Sequence, residues 1–540
     1  MILLGKLKQS LLNYWNILSL IAIVLILLPN VAVFLGSVSN ISPYWEHIKN
    51  YLLKDHIKNT IVMLLFTGIF SSVIGVTAAW FVVRYDFPLR NFFSWALVLP
   101  LAFPPYVGAY TYSNLLSYTG PVQLFMRNIG IQVNQKYFDI MNIKGAIFIY
   151  TVFLFPYVYL IAKSFIQKES GSLIEVSRTL GKNAWEIFFK VVLPISRGPI
   201  IAGVSLVLME VLNDYGVVKY FGIQTLSTTI FTAWFSMGDL TAAKKVASTL
   251  MIFVFILLFT ERFSRRRKRY EYTTTKVKPL NREKLGGLKG VLVTLLCFSV
   301  LSVGFFIPLF QIIYSASFSL HLFLNSEILT FIFDSLKVAL AATIIIVVSS
   351  LIIANTVRIT PNSFVKSYRE LATFGYSVPG AVVAIGILYV IFSLNDTVFN
   401  GNAGFLLSST TVILLLAYII RFLAVGYNSI EAGFQKIGKS FFEASRTLGH
   451  GVTATFFKVD LPMLKPAIVS GILLVMLEIF KELPLTLILR PFNFDTLATK
   501  IYQYTSDEML PEASVLSLIL VLICTAGVYL VTHLNTKEVK

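Results

Sequence analysis

Four carboxylates are the side chains best placed to do chemistry in this sequence. Glu210 and Asp214 stand four residues apart, and Glu478 and Glu482 repeat the pair at a shift of 268 residues. At that spacing both acids of a pair lie on one helical face. All four fall in strongly apolar stretches, where a carboxylate is costly and marks a functional hypothesis by default. Two uses are open. The pairs can tie helices together, with Lys481 or Arg421 as partners. Alternatively they line a path and attract a cation, because carboxylate and phenolate oxygens, including those of nearby Tyr215 and Tyr220, suit hard, highly charged metals. The histidines name no metal site: His47, His56, His321, His450 and His533 are scattered without ligand spacing.

A second stretch invites a nucleotide reading. Gly433 to Ser440, GFQKIGKS, satisfies the phosphate-loop pattern G-x-x-x-x-G-K-S. That chemistry needs a strand before the loop, a helix after it and a parallel sheet to hold both. Here an apolar span precedes it, and the matching stretch of the first half, Phe165 to Ser172, reads FIQKESGS. No cofactor is expected to bind this chain, and no covalent chemistry is expected of it.

The elements that position these residues are membrane spans. The chain has 540 residues, is 56% hydrophobic and 13% charged, and has a mean hydropathy of +0.76. Its apolar runs repeatedly reach the ~20 residues that cross a bilayer, which predicts an all-α polytopic membrane protein. Twelve spans are read, near 16–36, 58–83, 91–115, 144–163, 195–216 and 242–261, then 290–315, 333–356, 371–393, 408–429, 463–486 and 513–533. They group into a first repeat at 1–261, a basic linker at 262–289 and a second repeat at 290–540. The stretch Trp15 to Leu35 follows Lys6 and Lys8 but is too long for a cleaved signal, so it is read as a retained span. Cys297 and Cys524 both lie within spans and suggest no disulfide framework.

The net charge of +18 fits Lys/Arg-rich cytoplasmic loops beside anionic lipid better than nucleic acid, and no nucleic-acid partner is expected. With both termini cytoplasmic, Arg84, Arg90, the 164–194 loop, the linker, Arg358 and the 430–462 loop fall on one side. The opposite loops at 317–332 and 394–407 hold no Lys or Arg. Six spans per half make the repeats parallel, related by an axis along the membrane normal.

The two long loops on the basic side repeat one segment. Glu175 to Pro194 reads EVSRTLGKNAWEIFFKVVLP and Glu443 to Pro462 reads EASRTLGHGVTATFFKVDLP, identical at 12 of 20 positions without a gap. The spacing predicts a helix-turn-helix at the membrane surface. Glu175 and Glu443 sit near a helix start, where the dipole favours a carboxylate. Gly181 and Gly449 stop that helix. Phe188, Phe189, Phe456 and Phe457 give the second helix an apolar face, and Pro194 and Pro462 open the next span. One partner docking twice by helix-in-groove contacts explains the repetition.

This segment resembles the EAA loop of ABC importer permeases: Glu-Ala-Ala, three residues, Gly, nine residues, Ile, one residue, Leu-Pro. Glu175, Gly181, Val191, Leu193 and Pro194 match it in the first copy, and Glu443, Ala444, Gly449, Val459, Leu461 and Pro462 in the second. Val176, Ser177 and Ser445 depart from it. The resemblance implies a type I ABC importer permease fold in a bacterial cytoplasmic membrane. It also implies that both loops, Ser177 included, couple to two copies of an ABC ATPase subunit that uses the ATP.

Two further stretches, Leu212 to Phe235 and Lys481 to Ala513, resemble the ferric-iron branch of that family, whose relatives handle thiamine, aminoethylphosphonate and other small solutes. They imply an external ferric-iron binding protein docking on loops such as 215–241 and 487–512, with alternating access to the cytoplasm. A secondary transporter or a channel would need neither feature.

Overall fold

Lipid offers no partners to backbone N–H and C=O groups, so a chain this apolar must satisfy them within helices. The computed structural model describes residues 14–36, 42–131, 134–169, 171–266, 282–360, 362–398 and 410–537. The middle of the basic linker and residues 399–409 therefore lie outside the described residues. Among those described, the only strand pairing is a two-residue parallel contact of Tyr85–Asp86 with Glu283–Lys284.

Among the described residues, nine helices are long and apolar enough to cross a membrane: Tyr14–Leu35, Pro43–Arg84, Ile143–Gln167, Ala184–Asn213, Leu240–Ser264, Gly287–Phe323, Ser326–Ile359, Thr411–Ile437 and Leu510–His533. Three bent pairs bring the number to twelve: Arg90–Ala102 with Pro105–Asn128, Phe364–Ser377 with Gly380–Asn395, and Val452–Met463 with Lys465–Lys481. In chain order these are spans 1 to 12, six in each half.

The spans expected over 91–115 and 371–393 are each broken by a bend. Span 3 turns by 90° and span 9 by 105°. Each break is set by a proline, Pro104 or Pro379, which pushes the residue before it out of the helical region. Phe103 accordingly lies at φ −88°, ψ 120°, and Val378 at φ −86°, ψ 126°. Span 11 bends by 72°. Pro466 has no amide to continue the ladder there, whereas the first half has Gly198 at that position and span 5 runs on. Pro462 therefore begins a short turn before the bend instead of opening the membrane span itself.

The halves interlock. Span 1 lies against spans 8 and 9 of the second half: Ser19 donates to Thr356 Oγ1 at 2.8 Å, and a Cβ on Gly386 would meet the Pro29 carbonyl at 2.6 Å. Span 7 crosses in the opposite sense, where Tyr112 donates to the Val303 carbonyl and Gly304 leaves room for Pro100. Spans 4 and 5 approach closely at Gly203, where a Cβ would sit 2.8 Å from the Val158 backbone. Spans 10 and 11 do so at Gly471 against Ser429; small residues permit such crossings in lipid. The outward face of span 1, with Leu18, Ile21, Val24 and Leu28 exposed, is suited to acyl chains.

Candidate functional site

Both copies of the repeated segment fold as a short helix, a left-handed glycine and a second helix, which in the first copy runs on into span 5. In the first, Gly171–Thr179 ends at Gly181 (φ 76°), and Lys182 N–H closes back on the Ser177 carbonyl at 3.1 Å. In the second, Ser440–Thr447 ends at Gly449 (φ 88°), with His450 N–H on the Ser445 carbonyl at 3.2 Å. These are helix stops that L side chains resist. Glu443 lies in the first turn of its helix, as expected, but Glu175 lies in the middle of its own.

Asn183 and Glu186 form a capping box on the next helix, Ala184–Ile187. Hydrogen bonds from Lys190 and Lys182 hold the Glu186 carboxyl down at about 2, so the cap stays charged at any physiological pH. With its pKa depressed on folding, its contribution is present above the ordinary carboxylate range and fades as pH falls towards that value.

The FFKV motifs both form a single π turn, Phe188–Val192 and Phe456–Asp460. This turn splits each phenylalanine pair. Phe188 packs on Trp80 at 5.3 Å and Phe456 on Trp15 at 4.8 Å, while Phe189 and Phe457 face outward. Leu180, at 74% exposure, and Leu448, at 79%, stand at matching places beside their glycines. Ser177 and Ser445 are instead buried, and Ser445 meets Thr455 Oγ1 at 2.9 Å, holding the two short helices together. Ser177 is thus buried beneath the ridge, not part of its outer surface, and the residue matching Thr455 there is Ile187. Ala444, Pro194 and Pro462 are exposed, and Leu193 and Leu461 are half-buried.

The false phosphate loop is now explained. Gly433 to Ile437 form the last turn of span 10, and Gly438 (φ 71°) caps it, its carbonyl accepting from Arg358 at 2.7 Å. No strand precedes it.

The four intramembrane acids converge at the ends of spans 5 and 11. Glu210, Asp214, Glu478 and Glu482 line one cavity of about 60 Å³, together with Arg421, Lys481, Asn213 and Tyr157, room for about two waters. Each acid has a protein partner. Arg421 donates to Glu482 at 3.2 Å and Lys481 to Glu478 at 3.0 Å; Tyr376 donates to Glu210 at 2.8 Å and Tyr150 to Asp214 at 2.8 Å.

Asp214 and Glu482 do the same local work. Each ends its span in extended conformation and accepts the amide three residues on, Val217 or Leu485, to start the short helices Gly216–Tyr220 and Pro484–Leu489. Among the described residues no group of three or more metal-ligating side chains is arranged to hold an ion.

Larger cavities flank this cluster. On the side away from the repeated loops, one of about 950 Å³ is lined by Tyr215, Lys219, Phe231, Arg490, Lys500 and Tyr502, among others. Tyr215 stacks on Phe231 at 3.6 Å and leans towards Tyr502 at 5.8 Å, directly above Asp214. Towards the loops, a cavity of about 800 Å³ reaches Tyr376 and runs past Asn428 and Lys436. Tyr215 lines the outer cavity and Tyr376 the inner one; neither lines the acidic chamber, which Tyr376 reaches through its hydrogen bond to Glu210 and Tyr215 adjoins through its chain neighbour Asp214. Tyr220 does not line the chamber.

Sequence reasoning missed Tyr150, Tyr376, Asn213 and the cations of the outer cavity. Tyr150 had a signal: Tyr418 repeats it at the same shift, and donates or accepts with Thr486 at 2.6 Å. Asn213, whose side-chain carbonyl accepts the Gly380 amide at 2.7 Å, had none, because its partner lies at a break in the other half.

The sequence profile of the family described as "Binding-protein-dependent transport system inner membrane component" matches this chain twice, at residues 71–269 and 366–539. Among curated proteins, the Fe(3+)-transport system permease protein FbpB 2 of Haemophilus influenzae is 25% identical over 496 residues, 88% of this chain and 89% of the relative. The putative ferric transport system permease protein FbpB 1 of the same organism is 24% identical over 515 residues, covering 87% and 77%. The sulfate transport system permease protein CysT of Escherichia coli is 28% identical over 261 residues, 46% of this chain but 92% of its own length. A single-repeat relative thus spans about half of this chain.

Proposed function

Because this chain belongs to the family of binding-protein-dependent transport system inner membrane components, and carries its domain twice, we propose that it is the whole transmembrane gate of an ATP-driven importer of ferric iron. The observation that carries the cargo is the full-length likeness to permeases named for ferric transport. The two repeated loops seat in two copies of an ATPase subunit at the cytoplasmic face, and both chain termini lie on that side of a bacterial inner membrane. A ferric-iron binding protein docks over the outer cavity. ATP is bound and hydrolysed by the partner; this chain binds no cofactor and makes no covalent bond.

The residues on the path act by position and charge. Closure of the ATPase pair moves both loops, and the π turns pass that motion to spans 5 and 11, whose far ends carry the acid pairs. Separating those ends opens the chamber beneath Tyr215 to the outer cavity. Resetting opens it past Tyr376 to the inner one. The acids then attract the cation once their present partners release them.

Replacing both Glu210 and Glu478 by Gln lowers uptake roughly tenfold, about what losing ~1.5 kcal/mol of hydrogen bonding to a charged group amounts to. ATPase co-purification stays unchanged; unchanged uptake would remove these acids from the path.

A small oxyanion is the second reading, favoured by the sulfate permease relative and by Lys219, Arg490 and Lys500 around the outer cavity. Vesicles holding the chain, its ATPase and its binding protein decide between them. Ferric iron should accumulate only with ATP, without competition from sulfate. Accumulation of sulfate in its place would reverse the assignment.

A further inference from the structure

The two halves secure their repeated loops differently, and the difference involves the linker. Span 2 ends on Val-Arg at Arg84, span 8 carries Val-Arg one residue before its end at Arg358, and both guanidinium groups are buried. Arg358 is neutralised from within the second loop: Asp460, in the π turn of FFKVD, binds it at 2.7 Å with no solvent exposure of its own. The corresponding residue of the first loop is Val192, also buried, which offers no charge.

Arg84, only 2% exposed, would then hold an uncompensated charge, which is expensive. Its carboxylate comes from elsewhere in the chain. Glu283, from the far end of the linker, binds Arg84 at 3.1 Å. The same Glu283 oxygen takes Arg178 of the first loop. In the second loop the equivalent Arg446 stays at home and donates to the His450 carbonyl at 2.8 Å.

The linker end is fixed at this spot by its backbone. Glu283 and Lys284 pair in parallel with Tyr85 and Asp86, and Leu285 N–H donates to the Asp86 carbonyl at 2.9 Å. Thr294, about two turns into span 7, donates to the Pro88 carbonyl at 3.2 Å. Arg84 in turn lies over Trp80, the ring on which Phe188 of the first loop packs.

We infer that Glu283 is a positioning residue for energy coupling: the linker supplies the carboxylate that the first loop lacks, and so joins that loop to the end of span 2. This rests on the importer reading above. The linker is then more than a tether between two repeats. Motion of the first loop is transmitted through a strap from the second half, and motion of the second loop through its own aspartate.

The test uses the complete importer in vesicles, reading cargo uptake and ATP hydrolysis together, with the wild type as reference. Glu283→Gln should raise the ATP consumed per cargo molecule about fivefold or more, the lower end of typical coupling energies, while membrane abundance and ATPase co-purification hold. Glu283→Asp should recover part of the coupling. Val192→Asp placed in the Glu283→Gln background should recover most of it, by moving the charge to where the second loop carries it.

Normal coupling in Glu283→Gln, or a loss repaired by neither Asp variant, overturns the inference. A wild type that shows no ATP-dependent uptake fails the importer reading instead, so the two failures are told apart.

Discussion

Arg421→Leu destabilises the protein by about 3–5 kcal/mol, the cost of leaving one partner of a buried ion pair alone. Arg421 joins three elements. Its Nε meets Glu482 at the end of span 11, a terminal nitrogen donates to the Val378 carbonyl at 2.7 Å in the break of span 9, and its own backbone belongs to span 10. Leucine leaves a buried carboxylate and an orphan carbonyl. The first half shows what the alternative looks like: Phe153 occupies the position of Arg421, and Asp214 is satisfied by Tyr150.

Arg421→Phe combined with Glu482→Gln should therefore regain much of the loss, because a buried pair replaced as a whole costs far less than one half removed. Thermal unfolding in detergent, compared across the single and double variants, checks it. Additive losses would show that the two side chains do not act as a pair.

Leu180→Asp together with Leu448→Asp abolishes ATP-driven uptake. Both leucines are among the most exposed apolar side chains of the protein and stand at the same place in the two loops. Buried anchors at such contacts contribute ~2 kcal/mol or more, so each ATPase copy, losing the one that seats in it, is held at least about 30-fold more weakly. Stability should shift by no more than ~0.5 kcal/mol, as for other exposed substitutions. Substituting Ser445, which braces the helices from beneath, should do the reverse and lower stability first. Co-purified ATPase, quantified against each variant's thermal midpoint, separates the two. Full ATPase recovery with the double aspartate variant would mean that the ridge docks nothing.

What could be read from the sequence was whatever is local or repeated. The loops are contiguous segments, and their glycines and prolines have fixed meanings, so their two-helix form followed from spacing alone. The acid pairs emerged because the second, Glu478 and Glu482, repeats the first, Glu210 and Asp214, at a shift of 268 residues. The broken spans did not emerge, although Pro104 and Pro379 stood in view, because a continuous apolar run carries no period to interrupt. The π turns were hidden for a similar reason, since FFKV fits an α-helix equally well.

The crossing of span 1 onto the second half, with Trp15 against Phe456, depends on tertiary packing between residues 441 positions apart. The partners of the acids fall between these cases. Lys481 and Arg421 were foreseeable as cations in apolar spans, whereas Tyr376 reaches Glu210 only because span 9 is broken where it is.

The native mass of the complex purified with its ATPase is the most direct test of a single chain working as a complete gate through two handles. One copy of this chain should carry two ATPase copies, falling to one when either Leu180 or Leu448 alone is made Asp. A wild-type complex with one ATPase, or with none, would contradict the account.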